Sequence, residues 1–156
     1  MIGRGVDDEG TAGMKGQPAG ALIGLVIVAH GRLAAALLEA TEHVVGPQRG
    51  ARAIAIDPSD DLHARQGEIA RTVAEVDEGA GVVVVTDMFG GTPSNLAHGA
   101  LTGPGVEVVY GANLPLLVKL AKMRDRPLPE AVRAALEAGR KYVDSAAGIL
   151  ETARPR

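Results

Sequence analysis

Apolar and polar positions along this chain follow two alternating rhythms. Ala21-Leu-Ile-Gly-Leu-Val-Ile-Val-Ala29 is continuously apolar, and so is Gly81-Val-Val-Val-Val-Thr86 until its last residue. Short unbroken runs of this kind suit strands buried on both faces of a parallel sheet. Ala51-Arg-Ala-Ile-Ala-Ile56 and Val106-Glu-Val-Val-Tyr110 predict two shorter strands. Between the runs, apolar residues recur at helical spacing: Leu33, Leu37, Leu38, Val44 and Val45 over residues 32–45, then Leu62, Ile69, Val73 and Val76 over 61–76. Start signals place further helices. Asp60 or Ser59 is the expected cap of the 61–76 helix. Thr92 as N-cap and Pro93 as first helical residue open a short helix through Leu101. Asn113 caps a helix to Met123, and Pro127-Leu-Pro129 precedes one from Glu130 to about Gly139. Strands alternating with helices predict right-handed βαβ crossovers and an α/β fold. The expected architecture is a three-layer open sheet of four parallel strands flanked by helices.

The ends break this rhythm. Met1 to Gln17 holds five glycines and few apolar residues, which predicts a disordered leader, native or partly vector-derived. The expected division is a leader over 1–20, one domain over 21–150 and a tail over 151–156. Arg140-Lys-Tyr-Val-Asp-Ser-Ala-Ala-Gly-Ile-Leu150 is too apolar for an idle tail. It reads either as an edge strand or as a continuation of the last helix.

The chemistry concentrates where strands give way to helices. His30 ends the first apolar run, and Asp87 follows the third strand in Asp87-Met-Phe-Gly-Gly-Thr-Pro-Ser-Asn95. In open α/β sheets, ligands bind outside the carboxyl ends of the strands. If strands one and three are neighbours, as in the order 2-1-3-4, His30 and Asp87 face each other across the switch point. A carboxylate bonded to one ring nitrogen fixes the tautomer and leaves the other nitrogen free to attack. A helix N-terminus beside them offers unpaired N–H groups to an anion such as phosphate. Gly90 and Gly91 supply backbone conformations and close approaches closed to other residues.

Composition bounds the alternatives. With 156 residues the chain is expected to form one domain with a full core, 46% hydrophobic yet with only one Phe, two Tyr and no Trp. The absence of cysteine excludes disulfides, zinc-thiolate sites and thiol catalysis, and fits a reducing cytoplasm. A net charge of −3 argues against general nucleic-acid binding. The longest apolar run falls far short of the ~20 residues of a membrane span. His43, late in the first helix, His63 on an exposed face and His98 on the helix after the Gly-Gly motif read as ordinary structural residues without metal-ligand spacing. The chain has no Gly-Lys-Ser/Thr phosphate loop.

Ala29-His30-Gly31, the segment Thr86 to Asn95, and Tyr110-Gly-Ala-Asn-Leu-Pro-Leu-Leu117 occur in this order, each at a strand end. Together they resemble the IIA component of the mannose family of bacterial sugar phosphotransferase systems, over roughly residues 21 to 145. The resemblance implies that His30 accepts a phosphoryl group from the phosphocarrier protein HPr and passes it to a IIB partner. That partner would phosphorylate a sugar arriving through a membrane permease. Asp87 would stabilise the charged ring, with Gly31, Gly90, Gly91 and Thr92 around the phosphoryl oxygens and no metal or other cofactor. The resemblance also implies a homodimer that exchanges a fifth, antiparallel edge strand, for which the 140–150 segment is the candidate. Phe89 stands where sugar-transport members often carry tryptophan, and Ser94 where a bulky residue is common. Three other readings stay open: a regulatory IIA-like protein without transport, the phosphoryl-donor subunit of a dihydroxyacetone kinase, and a non-covalent anion-binding module.

Overall fold

A computed structural model describes residues 16–101 and 103–155. Strands β1 (Gly24–His30), β2 (Ala51–Ile56), β3 (Val82–Thr86) and β4 (Val106–Val109) form one parallel sheet in the order β2-β1-β3-β4. Helices α1 (Leu33–Val45), α4 (Leu114–Lys122) and α5 (Leu128–Lys141) cover one face, and α2 (Leu62–Val76) and α3 (Thr92–Gly99) the other. The two-residue period of a strand sorts β1 between them. Leu25, Ile27 and Ala29 pack with Ala34, Leu117 and Ala131, while Val26 and Val28 pack with Ile69, Val73 and Ala97. Both layers are aliphatic throughout. Each fully buried Val, Leu or Ile contributes about 1.5–3 kcal/mol, so small residues at close helix-to-sheet distance replace the missing aromatics.

Three local expectations need correction. Asp61, not Asp60 or Ser59, caps α2, its carboxylate accepting from the N–H groups of His63 and Ala64. Asp60 instead closes the preceding turn by accepting from the Asp57 N–H and pairing with Arg65 at 3.0 Å. The N-cap of α3 is Gly91, which makes Thr92 the first helical residue. Pro93, with no N–H to lose, is equally tolerated one position later in that first turn.

The expected fifth strand over 140–150 is absent from the described residues. α5 runs on to Lys141, and a sixth helix, α6 (Ala146–Thr152), follows. Ser145 caps it by accepting from the Gly148 N–H, and two alanines open it, so local preference within one chain favours helix. Of the expected leader, residues 1–15 lie outside the described residues. Gln17 is tied to the fold, its amide donating to the Ala21 carbonyl. Among the described residues no helix is long and apolar enough to cross a membrane.

Candidate functional site

β1 and β3 are neighbours with Val28 opposite Thr86, so the residues just beyond, His30 and Asp87, meet at the carboxyl edge of the sheet. Asp87 Oδ2 accepts from the His30 backbone N–H at 3.1 Å and lies 2.7 Å from the ring Nδ1. Oδ1 accepts from the Met88 N–H at 3.0 Å. Burial presses the Asp87 carboxyl toward its neutral form. Hydrogen bonds from the ring and backbone of His30 outweigh that and hold it below the ordinary carboxylate value. An ionised carboxylate only accepts. Nδ1 therefore carries a proton, and in the neutral ring Nε2 keeps the lone pair. The His30 side chain is 50% exposed and that of Asp87 only 11%, which leaves the imidazole reachable and its carboxylate partner shielded.

Nε2 lies beside the start of α3. A Cβ on Gly91 would sit 3.1 Å from His30 Cε1 and 3.6 Å from Nε2. Gly91 has an ordinary φ of −79°; a side chain there would crowd both the imidazole and Met88. Gly90 and Gly31 are the site positions with left-handed backbone, at φ of +81° and +53°.

Four helices begin at this edge, and they differ in one respect. α2 and α4 are capped by Asp61 and Asn113, which accept from first-turn N–H groups. α1 and α3, which follow the strands that deliver His30 and Asp87, have no side-chain cap at Arg32 or Gly91. Their first-turn donors remain open to an anion, with the positive helix ends behind them.

Within the expected phosphoryl cradle the residues divide. The Gly31 N–H donates to the Ile56 carbonyl at 2.9 Å. The Gly90 N–H donates to the buried Ser94 hydroxyl at 3.4 Å, which gives that unusual serine a role in closing the loop. The N–H groups of Gly91 and Thr92 have no acceptor among the described residues, and the Thr92 side chain is exposed.

Sequence reasoning left one group unassigned. The Tyr110 hydroxyl is hydrogen-bonded to His98 Nε2, and the Tyr110 and Phe89 rings form a T-shaped pair with centroids 5.0 Å apart. His98 is thus part of an aromatic cluster beside the site, not an ordinary helix residue. No linear signal joins α3 to the end of β4.

Residues 24–137 match the family model described as PTS system fructose IIA component. The chain belongs to the mannose-type IIA family of the phosphotransferase system. It is 32% identical over 124 residues to the PTS system mannose-specific EIIAB component of Escherichia coli, covering 78% of this chain and 38% of that protein. This IIA chain thus spans well under half the length of that relative. It is 25% identical over 105 residues to the PTS system fructose-specific EIIA component of Bacillus subtilis, covering 67% of this chain and 72% of the other. Its fold superposes on the mannose/sorbose specific IIA subunit from Enterococcus faecalis with a TM-score of 0.72 at 28% identity, covering 80% of this chain and 94% of that one.

Proposed function

We propose that this IIA chain is a phosphoryl carrier whose acceptor atom is His30 Nε2. In the reaction the Nε2 lone pair attacks the phosphorus of phospho-HPr. One phosphorus–nitrogen bond forms as the donor's breaks, and the donor imidazole recovers its electron pair. The Nδ1 proton stays in place, so the phosphorylated ring is cationic, and the ionised Asp87 2.7 Å away balances that charge as it develops. The N–H groups of Gly91 and Thr92, with the Thr92 hydroxyl, hold phosphoryl oxygens, while Gly31 and Gly90 shape the backbone around them. Transfer onward to a IIB partner is the same displacement in reverse. It supplies the phosphoryl group for sugar uptake through a permease, with the carrier working in the cytoplasm.

The observation that carries this reading is the combination at one ring: Nδ1 fixed by a carboxylate, Nε2 free, and an uncapped helix start beside it. An anion-binding module needs the helix start but not the tautomer control. Incubation with phosphoenolpyruvate, enzyme I and HPr tests it by intact mass. The expected product gains one phosphoryl group, labile to acid and stable to base; an unchanged mass contradicts the proposal.

We infer further that the carrier is a homodimer associated through its C-terminal segment, where Tyr142, Val143, Ile149 and Leu150 are exposed on one short stretch. Apolar surface of that density in a monomer is unusual and marks an interface. Sedimentation equilibrium is expected to give the dimer mass for the full chain and a weaker association once residues 144–156 are removed. A stable monomer at micromolar concentration overturns the inference.

A further inference from the structure

Four connections lead from strand to helix at the carboxyl edge of the sheet: residues 31–32, 57–61, 87–91 and 110–113. Their charges are uneven. Asp57, Asp60, Asp61 and Asp87 all belong to them, and Arg32 is their one cation. Arg65 offsets Asp60 from within α2. Arg32 forms no ion pair among the described residues. A phosphoryl group on His30 would therefore meet like charge. With the ring cationic, Asp87 ionised and the phosphoryl group a dianion, the reacting centre is left with a net charge of about −2.

Arg32 occupies a position that its own helix does not favour. It is the N-cap residue of α1, whereas the other described helices begin on Asp61, Gly91, Asn113, Pro127 and Ser145. Arginine offers no acceptor to the first-turn N–H groups. A cation at the positive end of a helix is also electrostatically unfavourable, and no acidic residue in the first turn of α1 offsets it. The side chain is exposed, so packing gives no compensation. A local rule broken without a structural gain, two residues from an imidazole with a free nitrogen, points to a role at the site.

We propose that Arg32 is a phosphoryl-binding residue, whose guanidinium donates to the phosphoryl oxygens on His30 Nε2 and supplies the positive charge this edge otherwise lacks. The proposal rests on the phosphoryl-acceptor reading of His30. Gly31, with φ of +53°, turns the chain between the two residues. Their Cα atoms lie within about 7 Å of each other, a distance that an arginine side chain spans. A guanidinium suits the task because its planar fork engages two oxygens at once and it stays charged at every working pH. The cost of holding a cation at the start of α1 is then offset when the dianion arrives.

Arg32→Gln, which keeps a polar stem and removes the charge, is compared with wild type in three measurements on the full chain. Phosphorus NMR of the phosphorylated protein follows the last proton of the phosphoryl group. Its titration midpoint is expected to rise by about half a pH unit or more in the variant, because the dianion has lost its counter-ion. The initial rate of phosphorylation by phosphoramidate, a donor without a protein surface, should fall about tenfold. The urea midpoint of the unphosphorylated protein should stay at or above that of wild type, since a cation has left the positive end of α1. Arg32→Lys keeps the charge without the fork, so it should hold most of the titration midpoint and recover only part of the rate. A phosphorus titration unchanged in Arg32→Gln overturns the proposal. So does a lowered urea midpoint with a wild-type rate per folded molecule, which would make Arg32 structural. Wild-type protein that gains no phosphoryl group from phosphoramidate or from phospho-HPr removes the acceptor reading itself, and the role of Arg32 with it.

Discussion

The two ends of the sheet use similar groups to opposite effect. At the amino end, Arg124 is 2% exposed and every guanidinium nitrogen has an acceptor. Nε donates to the Ile23 carbonyl at 2.6 Å, Nη2 to those of Arg49 and Gly50 at 2.6 and 3.2 Å, and Nη1 to the Gln48 side chain at 3.1 Å. Glu78 pairs with Arg49 at 3.0 Å and also accepts from the Leu22 N–H. At the carboxyl end, Asp87 is as fully engaged as Arg124, but what it engages is a histidine whose second nitrogen is free. The helix starts beside that histidine are uncapped. Saturated polar groups hold a fold together, because a buried donor or acceptor left without a partner costs about 1–3 kcal/mol. Unmet capacity held in a fixed orientation is instead what binds a substrate. The amino end closes the sheet, and the carboxyl end leaves it chemically open.

Removing the central group at each end gives the largest effects. His30→Ala is expected to abolish phosphorylation by phospho-HPr while stability, read from urea unfolding, stays within about 1 kcal/mol, since a half-exposed edge residue adds little packing. Full labelling of that variant places the acceptor elsewhere. The counterpart at the amino end is Arg124→Leu. The Ile23 and Arg49 carbonyls lose the Arg124 donor, while that of Gly50 keeps the Leu25 N–H, so unfolding free energy should fall by about 2 kcal/mol or more, with the transfer rate per folded molecule unchanged. A loss below about 1 kcal/mol would show that Arg124 is not the clasp described above.

Asp87→Asn lies between the two. The amide keeps the shape but cannot balance an imidazolium and can hold the wrong tautomer, so transfer should slow by about a hundredfold or more in stopped-flow assays, with the fold retained. Wild-type rates would reduce Asp87 to a turn residue.

The smallest expected effect is the acid limb of stability. The Arg49 hydrogen bond, with the Leu22 N–H, pulls the Glu78 carboxyl from 4.5 down to about 2. A group with a depressed folded-state value stabilises above its unfolded value and loses that contribution as pH falls through the folded one. Glu78 therefore contributes fully above pH 4.5 and progressively less down to about 2. Asp87, shifted in the same direction, adds to the same limb from the other end. Urea midpoints for Glu78→Gln should fall less steeply than wild type over that window; parallel curves would show that the Arg49 pair is thermodynamically silent.

Much of this contrast was legible in the chain itself. The two continuous apolar runs located β1 and β3 because a doubly covered parallel strand admits few polar residues. His30 and Asp87 could be paired in advance because each directly follows one of those runs. The caps were harder: Ser59, Asp60 and Asp61 are all competent, and only the path of the turn decides among them. Arg124 sits in Met123-Arg-Asp-Arg126, which reads as solvated surface. Its burial depends on carbonyls about a hundred residues and about seventy-five residues earlier. The Tyr110–His98 pair likewise exists only once α3 crosses beside β4. The apolar positions of the 140–150 segment suit strand and helix alike; the Ser145 cap, accepting from the Gly148 N–H, is the local signal for helix.

The central claim is that the acceptor is Nε2 of His30, with Nδ1 protonated and held by Asp87. Heteronuclear NMR of the histidine-labelled protein, recorded after phosphorylation by enzyme I, HPr and phosphoenolpyruvate, tests it directly. The account predicts a single phosphorylated imidazole, that of His30, with phosphorus coupled to Nε2 and a proton on Nδ1. Phosphorus on Nδ1, on any of His43, His63 or His98, or on no histidine would contradict it.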